Sequence, residues 1–337
     1  MLDKDFTNVQ LIAYEIATDK PFEIVKNQPR SQDIVMRAQH LYTVMTTILN
    51  TFNLDASALK IFVVPEFYFR SFSGKPDGTG HYDNEDILLG IRALKQVCRK
   101  NVQLNDWLIV AGTSIHTESY GYGYQSKRVV FAQLHIFTGG KGIDLTLNKQ
   151  NFSDIDNLDN KLNGSATQII SEAESLIQGP FFLGATATDY KPVQIAKNIK
   201  VGFEICLDHA EQRLRIYATA SSTPAEDKII DVHVLTACGR SAIDTAVTNK
   251  NLGYFFRCDG HSHPDNFGSQ SIQAQWRDPK ATALTQTDRV YLTGKSKVLH
   301  RAELPEDDLP IDETHKGDPG HPLRAITIYE SEPIVVV

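Results

Sequence analysis

The chain has 337 residues, 41% of them hydrophobic and 22% charged, and a net charge of −7. That is enough apolar material for one large or two ordinary folded units, and it excludes global disorder. The acidic balance argues against nucleic-acid binding, which uses a basic surface, and the four scattered cysteines (Cys98, Cys206, Cys238 and Cys258) form no C-x-x-C pair that would indicate a zinc ribbon or a disulfide scaffold.

Residues 8–16 read as a first buried strand. Residues 31–50 carry Ile34, Val35, Ala38, Leu41, Tyr42, Met45, Ile48 and Leu49 at the spacing of an amphipathic helix. A β-branched strand at 61–64 ends in Pro65-Glu66. A Gly-rich polar loop at 71–84 leads into a second helix at 85–100, and a buried strand follows at 107–114. This β-α-β-α-β order belongs to an α/β sheet covered by helices. Residues 128–149 form a hairpin, with strands at 128–137 and 143–148 around a Gly-rich turn, and Lys149 stands at its far end. A polar surface loop is expected at 150–164.

The run Ile199–Cys206 alternates like a strand and stops abruptly at Cys206. Asp208 then reads as the N-cap of a helix at 210–217. A strand–turn–helix junction of this kind presents a side chain at a sheet edge, with backbone N–H groups beside it. Further strands are expected at 228–237, 253–258, 271–275, 290–293 and 326–329, and a helix at 241–250. Residues 303–318 are acidic and Pro-rich.

Glu66, Lys149 and Cys206 therefore each end a strand, where α/β folds place their sites. In this order and in these surroundings the chain resembles the nitrilase or carbon–nitrogen hydrolase superfamily. The matching pieces are Val63-Val64-Pro65-Glu66-Phe67, the strand–Gly-turn–strand leading to Lys149, and Gly202-Phe203-Glu204-Ile205-Cys206-Leu207-Asp208. The resemblance implies a Glu-Lys-Cys triad, with Cys206 as nucleophile, Glu66 as general base and acid, and Lys149 stabilising the tetrahedral intermediate. It implies a second glutamate between the lysine and the cysteine, for which Glu172 fits best and Glu174 competes. It also suggests Leu207, His209, Phe67 and Tyr68 around the substrate, with the backbone N–H of Leu207 as a second oxyanion donor.

The implied fold is an α/β four-layer α-β-β-α sandwich over residues 1–300, with subunits associating through the outer helices. The tail at 301–337 would reach a subunit interface through the apolar run from Ile326. The implied substrate is a small-molecule amide or nitrile, no cofactor is required, and a homodimer or higher homo-oligomer is expected. Leu207 stands where nitrile-cleaving members carry tryptophan, which favours amides. His261 and His263 lack partners at ligand spacing, so no metal is expected. The first residues carry no signal-peptide pattern, and no apolar run reaches the ~20 residues of a membrane span, so a cytoplasmic protein is expected.

Overall fold

The computed structural model describes residues 1–19, 29–73, 80–120, 127–151, 190–263, 265–278, 281, 284–285, 288–304 and 324–334. Their architecture is mixed α/β, built on two sheets. The first takes its early strands from β1 (Asn8–Ile16), β2 (Ala58–Val63), β3 (Tyr82–Asp83), β4 (Trp107–Tyr120), β5 (Lys127–Thr138) and β6 (Asp144–Asn148). The second uses β7 (Val193–Ala196), β8 (Ile199–Ile205), β9 (Val232–Ala237), β10 (Tyr254–Asp259), β11 (Gly268–Trp276) and β12 (Val290–Lys295). The chain then returns to the first sheet as β13 (Val298–Glu303), β14 (Arg324–Tyr329) and β15 (Glu332–Pro333).

The first sheet runs β13-β14-β1-β2-β4-β5-β6 and the second β12-β11-β10-β9-β8-β7. At the heart of each, three strands are parallel: β1, β2 and β4 in the first, and β8, β9 and β10 in the second. Alternation decides what each face touches. Leu11, Ala13, Ile61, Val63 and Val110 of the first sheet share one core with Val201, Phe203, Ile205, Val234 and Phe256 of the second. The opposite face of the first sheet, with Ile12, Tyr14, Phe62 and Ile109, packs on helices α1 (Arg30–Thr51) and α2 (Asn84–Lys100). The helices meet where Gly90 approaches Ile34, and a Cβ at 90 would stand 2.5 Å from the Ile34 side chain. Among the described residues, the outer face of the second sheet carries the short helices Leu207–Ala210 and Arg213–Thr219.

Two expectations need correction. The junction after Cys206 breaks into those two short helices, with Gln212 at φ 55° between them, and Asp208 lies inside the first instead of capping it. Residues 241–250 form no helix; Val247 and Ala242 pack there against Leu235 and Phe255. Within the C-terminal segment, β14 is an interior strand of the first sheet, between β13 and β1, with all six of its residues buried. Among the described residues no helix is long and apolar enough to cross a membrane.

Candidate active site

The turn after β2 is held by a distortion in β4. The β4–β5 register slips between Val110 and Thr113, and Gly112 takes φ 79°, the conformation of a bulge glycine. The kink turns Thr113 toward the 65–69 turn. Thr113 Oγ1 accepts from the Phe67 N–H at 2.7 Å, and its carbonyl accepts from the Phe69 N–H at 3.0 Å. From the other side the buried Arg37 of α1 donates to the Tyr68 carbonyl at 2.7 Å. The turn so fixed carries Glu66 inward, fully out of solvent. A Cβ at 112 would lie 2.5 Å from the Pro65 carbonyl oxygen. Gly112→Ala is therefore expected to cost about 1–3 kcal/mol from its backbone conformation alone, with more from the clash. Denaturant unfolding that matches wild type would contradict this account of the turn.

Lys149 continues the β6 hairpin, its N–H donating to the Ala132 carbonyl at 2.9 Å. Its Nζ donates to Glu66 Oε1 at 2.7 Å, and both side chains are wholly buried. The Lys149 Nζ also stands 5.5 Å from the centroid of the Phe67 ring. Two strand-end residues far apart in sequence thus meet as a buried ion pair against an aromatic face.

Cys206 follows β8 with its N–H donating to the Thr236 carbonyl at 2.9 Å. Its backbone lies at φ 41°, ψ −104°, a region that costs a non-glycine residue of order 1–3 kcal/mol and is typical of functional turns. The side chain is 6% exposed, and Sγ lies 3.9 Å from the Cys238 carbonyl. Burial pushes the Cys238 thiol well up, and the charges of Glu66, Asp259, Asp19 and Cys206 act in the same direction. Cys238 is thus an un-ionised neighbour of the Glu66–Cys206 region.

Asp208 joins the cysteine turn to the lysine strand, a role the sequence alone did not indicate. Its carboxylate accepts from the Gln150 N–H at 3.1 Å, from the Asn151 N–H at 2.7 Å and from the Tyr190 hydroxyl. The residues next to Lys149 are therefore clamped to the turn that bears Cys206. Burial pushes the Asp208 carboxyl up to about 6, against the hydrogen bond from Tyr190 and the charge of Lys149.

The structure distributes the remaining expected site residues unevenly. Phe67 sits beside Lys149. Leu207 begins the helix directly after Cys206 and is half-buried. Tyr68 points into the helix-covered core, where its hydroxyl donates to the Arg37 carbonyl at 3.1 Å and its ring packs on Tyr14 and Phe69. The positive φ of Phe67, 65°, ends strand alternation in this turn, and Phe67 and Tyr68 fall into different apolar clusters. His209 turns to the outer face of the second sheet and bonds Glu204 at 2.6 Å. Glu172 and Glu174 lie outside the described residues.

Glu204, buried with His209 and His233, carries a charge that pH can test. Burial raises its carboxyl, but His209 and then His233 outweigh that and bring it from its ordinary 4.5 down to about 2. A carboxyl so depressed contributes stability that is fully present above its unfolded value and is lost as pH falls through the folded one. The difference in unfolding free energy between wild type and Glu204→Gln is followed downward from about pH 5, the lower edge of the range in which histidine side chains ordinarily change charge. It should then shrink by about 2 kcal/mol by pH 3, because each tenfold difference in proton affinity between the folded and unfolded chain is worth ~1.4 kcal/mol. A difference that stays constant to pH 3 would contradict an ionised Glu204.

No protein-family profile and no curated protein matches the chain. Among solved structures it is similar to a mutant of the Nesterenkonia AN1 amidase from the nitrilase superfamily, at 10% identity and TM-score 0.38, covering 84% of this chain and 89% of that one. It is also similar to an N-terminal amidase with a Gln-Gly peptide, at 10% identity and TM-score 0.33, covering 69% of this chain and 48% of that one. The chain thus spans about half the length of that second protein.

Proposed function

We propose that the chain is a divergent member of the nitrilase superfamily that hydrolyses a non-peptide carbon–nitrogen bond, most simply an amide, through a thioester on Cys206. The observation that carries this reading is the buried Lys149–Glu66 pair in the same chain as a cysteine held in a positive-φ turn after a buried strand. A free thiol has a pKa of about 8.5 and is mostly protonated at neutral pH, so it needs a base. Glu66 takes the Cys206 proton as sulfur attacks the carbonyl carbon. The oxygen becomes anionic, and Lys149 offers a fixed positive charge to it, with the Leu207 N–H as a second donor. The protonated Glu66 returns that proton to the departing amine. Water then gives a proton to Glu66 and its oxygen to the thioester carbon, and the acid leaves as the thiol re-forms.

The same proposal extends to a second glutamate at Glu172, to four layers in the order α-β-β-α, and to a cytoplasmic homo-oligomer acting on a small molecule without a cofactor. Incubation with a panel of small amides and nitriles, read by released ammonia or amine, tests the function. Product from amides supports it, product from nitriles alone reassigns the substrate, and no product from any member contradicts it.

A further inference from the structure

On the outer face of β8, Glu204, His209 and His233 meet out of solvent, with their ligand atoms within 4.8 Å of one another. Two imidazoles and a carboxylate make a donor set suited to zinc or iron. The backbone wires them differently. The Ile243 N–H donates to His209 Nε2 at 3.0 Å, and the Thr248 N–H donates to His233 Nδ1 at 3.3 Å. A ring nitrogen that accepts carries no proton, so each neutral ring holds its proton on the other nitrogen. Those are His209 Nδ1 and His233 Nε2, the atoms that face Glu204 Oε2 at 2.6 and 2.9 Å. The first is a hydrogen bond; the second is close but bent out of line. A metal-bound imidazole needs the reverse arrangement, a lone pair toward the ion and an N–H on the far side.

Two N–H groups turned toward one carboxylate make an anion cradle. The Leu214 N–H completes it, donating to Glu204 Oε1 at 2.8 Å. Glu204 lies two residues before Cys206, and His209 three residues after it. The cradle therefore joins the strand before the cysteine to the helix after it, to the next helix through Leu214, and to β9 through His233. A strained turn persists only where its surroundings over-determine it. We infer that Glu204 is a positioning residue for Cys206, its carboxylate gathering His209, His233 and Leu214 so that the cysteine backbone is held in its positive-φ conformation. The inference rests on reading Cys206 as the nucleophile. A glutamine at 204 would turn an NH₂ group toward donors that need an acceptor.

Nitrogen-15 spectra of the histidines in the wild-type protein test the wiring. The expected result is an unprotonated Nε2 in His209 and an unprotonated Nδ1 in His233, unchanged by one equivalent of zinc. The opposite tautomers, or a zinc-dependent change in both rings, would overturn the cradle. Iodoacetamide labelling of folded Glu204→Gln, followed by peptide mass, tests the positioning. Cys206 should react at least about ten-fold more slowly, with Cys98 and Cys258 as protected as in wild type. Glu204→Asp, which keeps the carboxylate, should recover part of the rate. A folded glutamine variant whose Cys206 labels at the wild-type rate overturns the inference. If the glutamine variant does not fold, the aspartate variant and the wild-type tautomers decide. Failure of the wild-type protein to cleave amides or nitriles would sink the proposed reaction and the nucleophile role of Cys206 with it, while the tautomers and labelling rates would still report whether Glu204 holds the cysteine turn.

Discussion

Cys206→Ala is expected to abolish turnover, a loss of at least about 10⁴-fold, because it removes the atom that forms the covalent bond. Little stability should go with it. The side chain is small, and Ala keeps a Cβ in the same positive-φ backbone, so the strain is neither relieved nor increased. Cys206→Ser should be nearly as inactive, since a hydroxyl is far harder to deprotonate than a thiol and Glu66 is a weak base for the task. The pair separates chemistry from packing. A folded Cys206→Ala protein that turns over any substrate of the wild type would place the nucleophile elsewhere, and Cys238, the neighbouring thiol, would be the next candidate.

Lys149→Met should fail in two measurable ways. Removing one partner of a buried pair leaves the other charge unpaired in a low-dielectric interior, which costs about 3–5 kcal/mol. Glu66, wholly out of solvent, would lose the ammonium beside it. The rate should fall by about 10²–10³ or more from the lost charge at the oxyanion. The double variant Glu66→Gln with Lys149→Met should regain much of the stability, because no buried charge remains, while activity stays lost. If the double variant is no more stable than the single one in denaturant unfolding, the pair is not the buried ion pair described here.

The elements bearing Glu66, Lys149 and Cys206 are legible in the sequence because each ends a strongly apolar run, and their chain order matches a known pattern. That Glu66 and Lys149 meet as a buried pair is not legible from spacing. It depends on the bulge at Gly112, and the cysteine turn is tied to the lysine strand by Asp208, both products of tertiary packing. Tyr68 leaves the expected site because a turn residue's direction is set by the positive φ of Phe67 (65°), which hydrophobicity does not reveal. His209 and Asp208 escape sequence reasoning together. Both follow the cysteine and look alike as polar helix-start residues, yet one is drawn to Glu204 and the other to Gln150 and Asn151, partners 58 and 57 residues from Asp208 in the chain. Residues 241–250 have helix-compatible composition, but Ile243 and Thr248 spend their N–H groups on histidine rings instead of on helical carbonyls. The terminal strand β14 is visible as an apolar run; that it enters its own sheet follows from its antiparallel pairing with β1, from Ile12 with Ile328 to Ile16 with Arg324, which no local pattern specifies.

The proposed mechanism requires an acyl bond on Cys206 during carbon–nitrogen cleavage. Intact-protein mass spectrometry after acid quench, during incubation with amides and nitriles, looks for that bond directly. The expected result is a mass increase equal to the acyl half of a cleaved substrate, mapped by peptide analysis to Cys206 and absent from Cys206→Ala. Cleavage that proceeds with no adduct on any cysteine, or with the adduct on Cys98, Cys238 or Cys258, would contradict it.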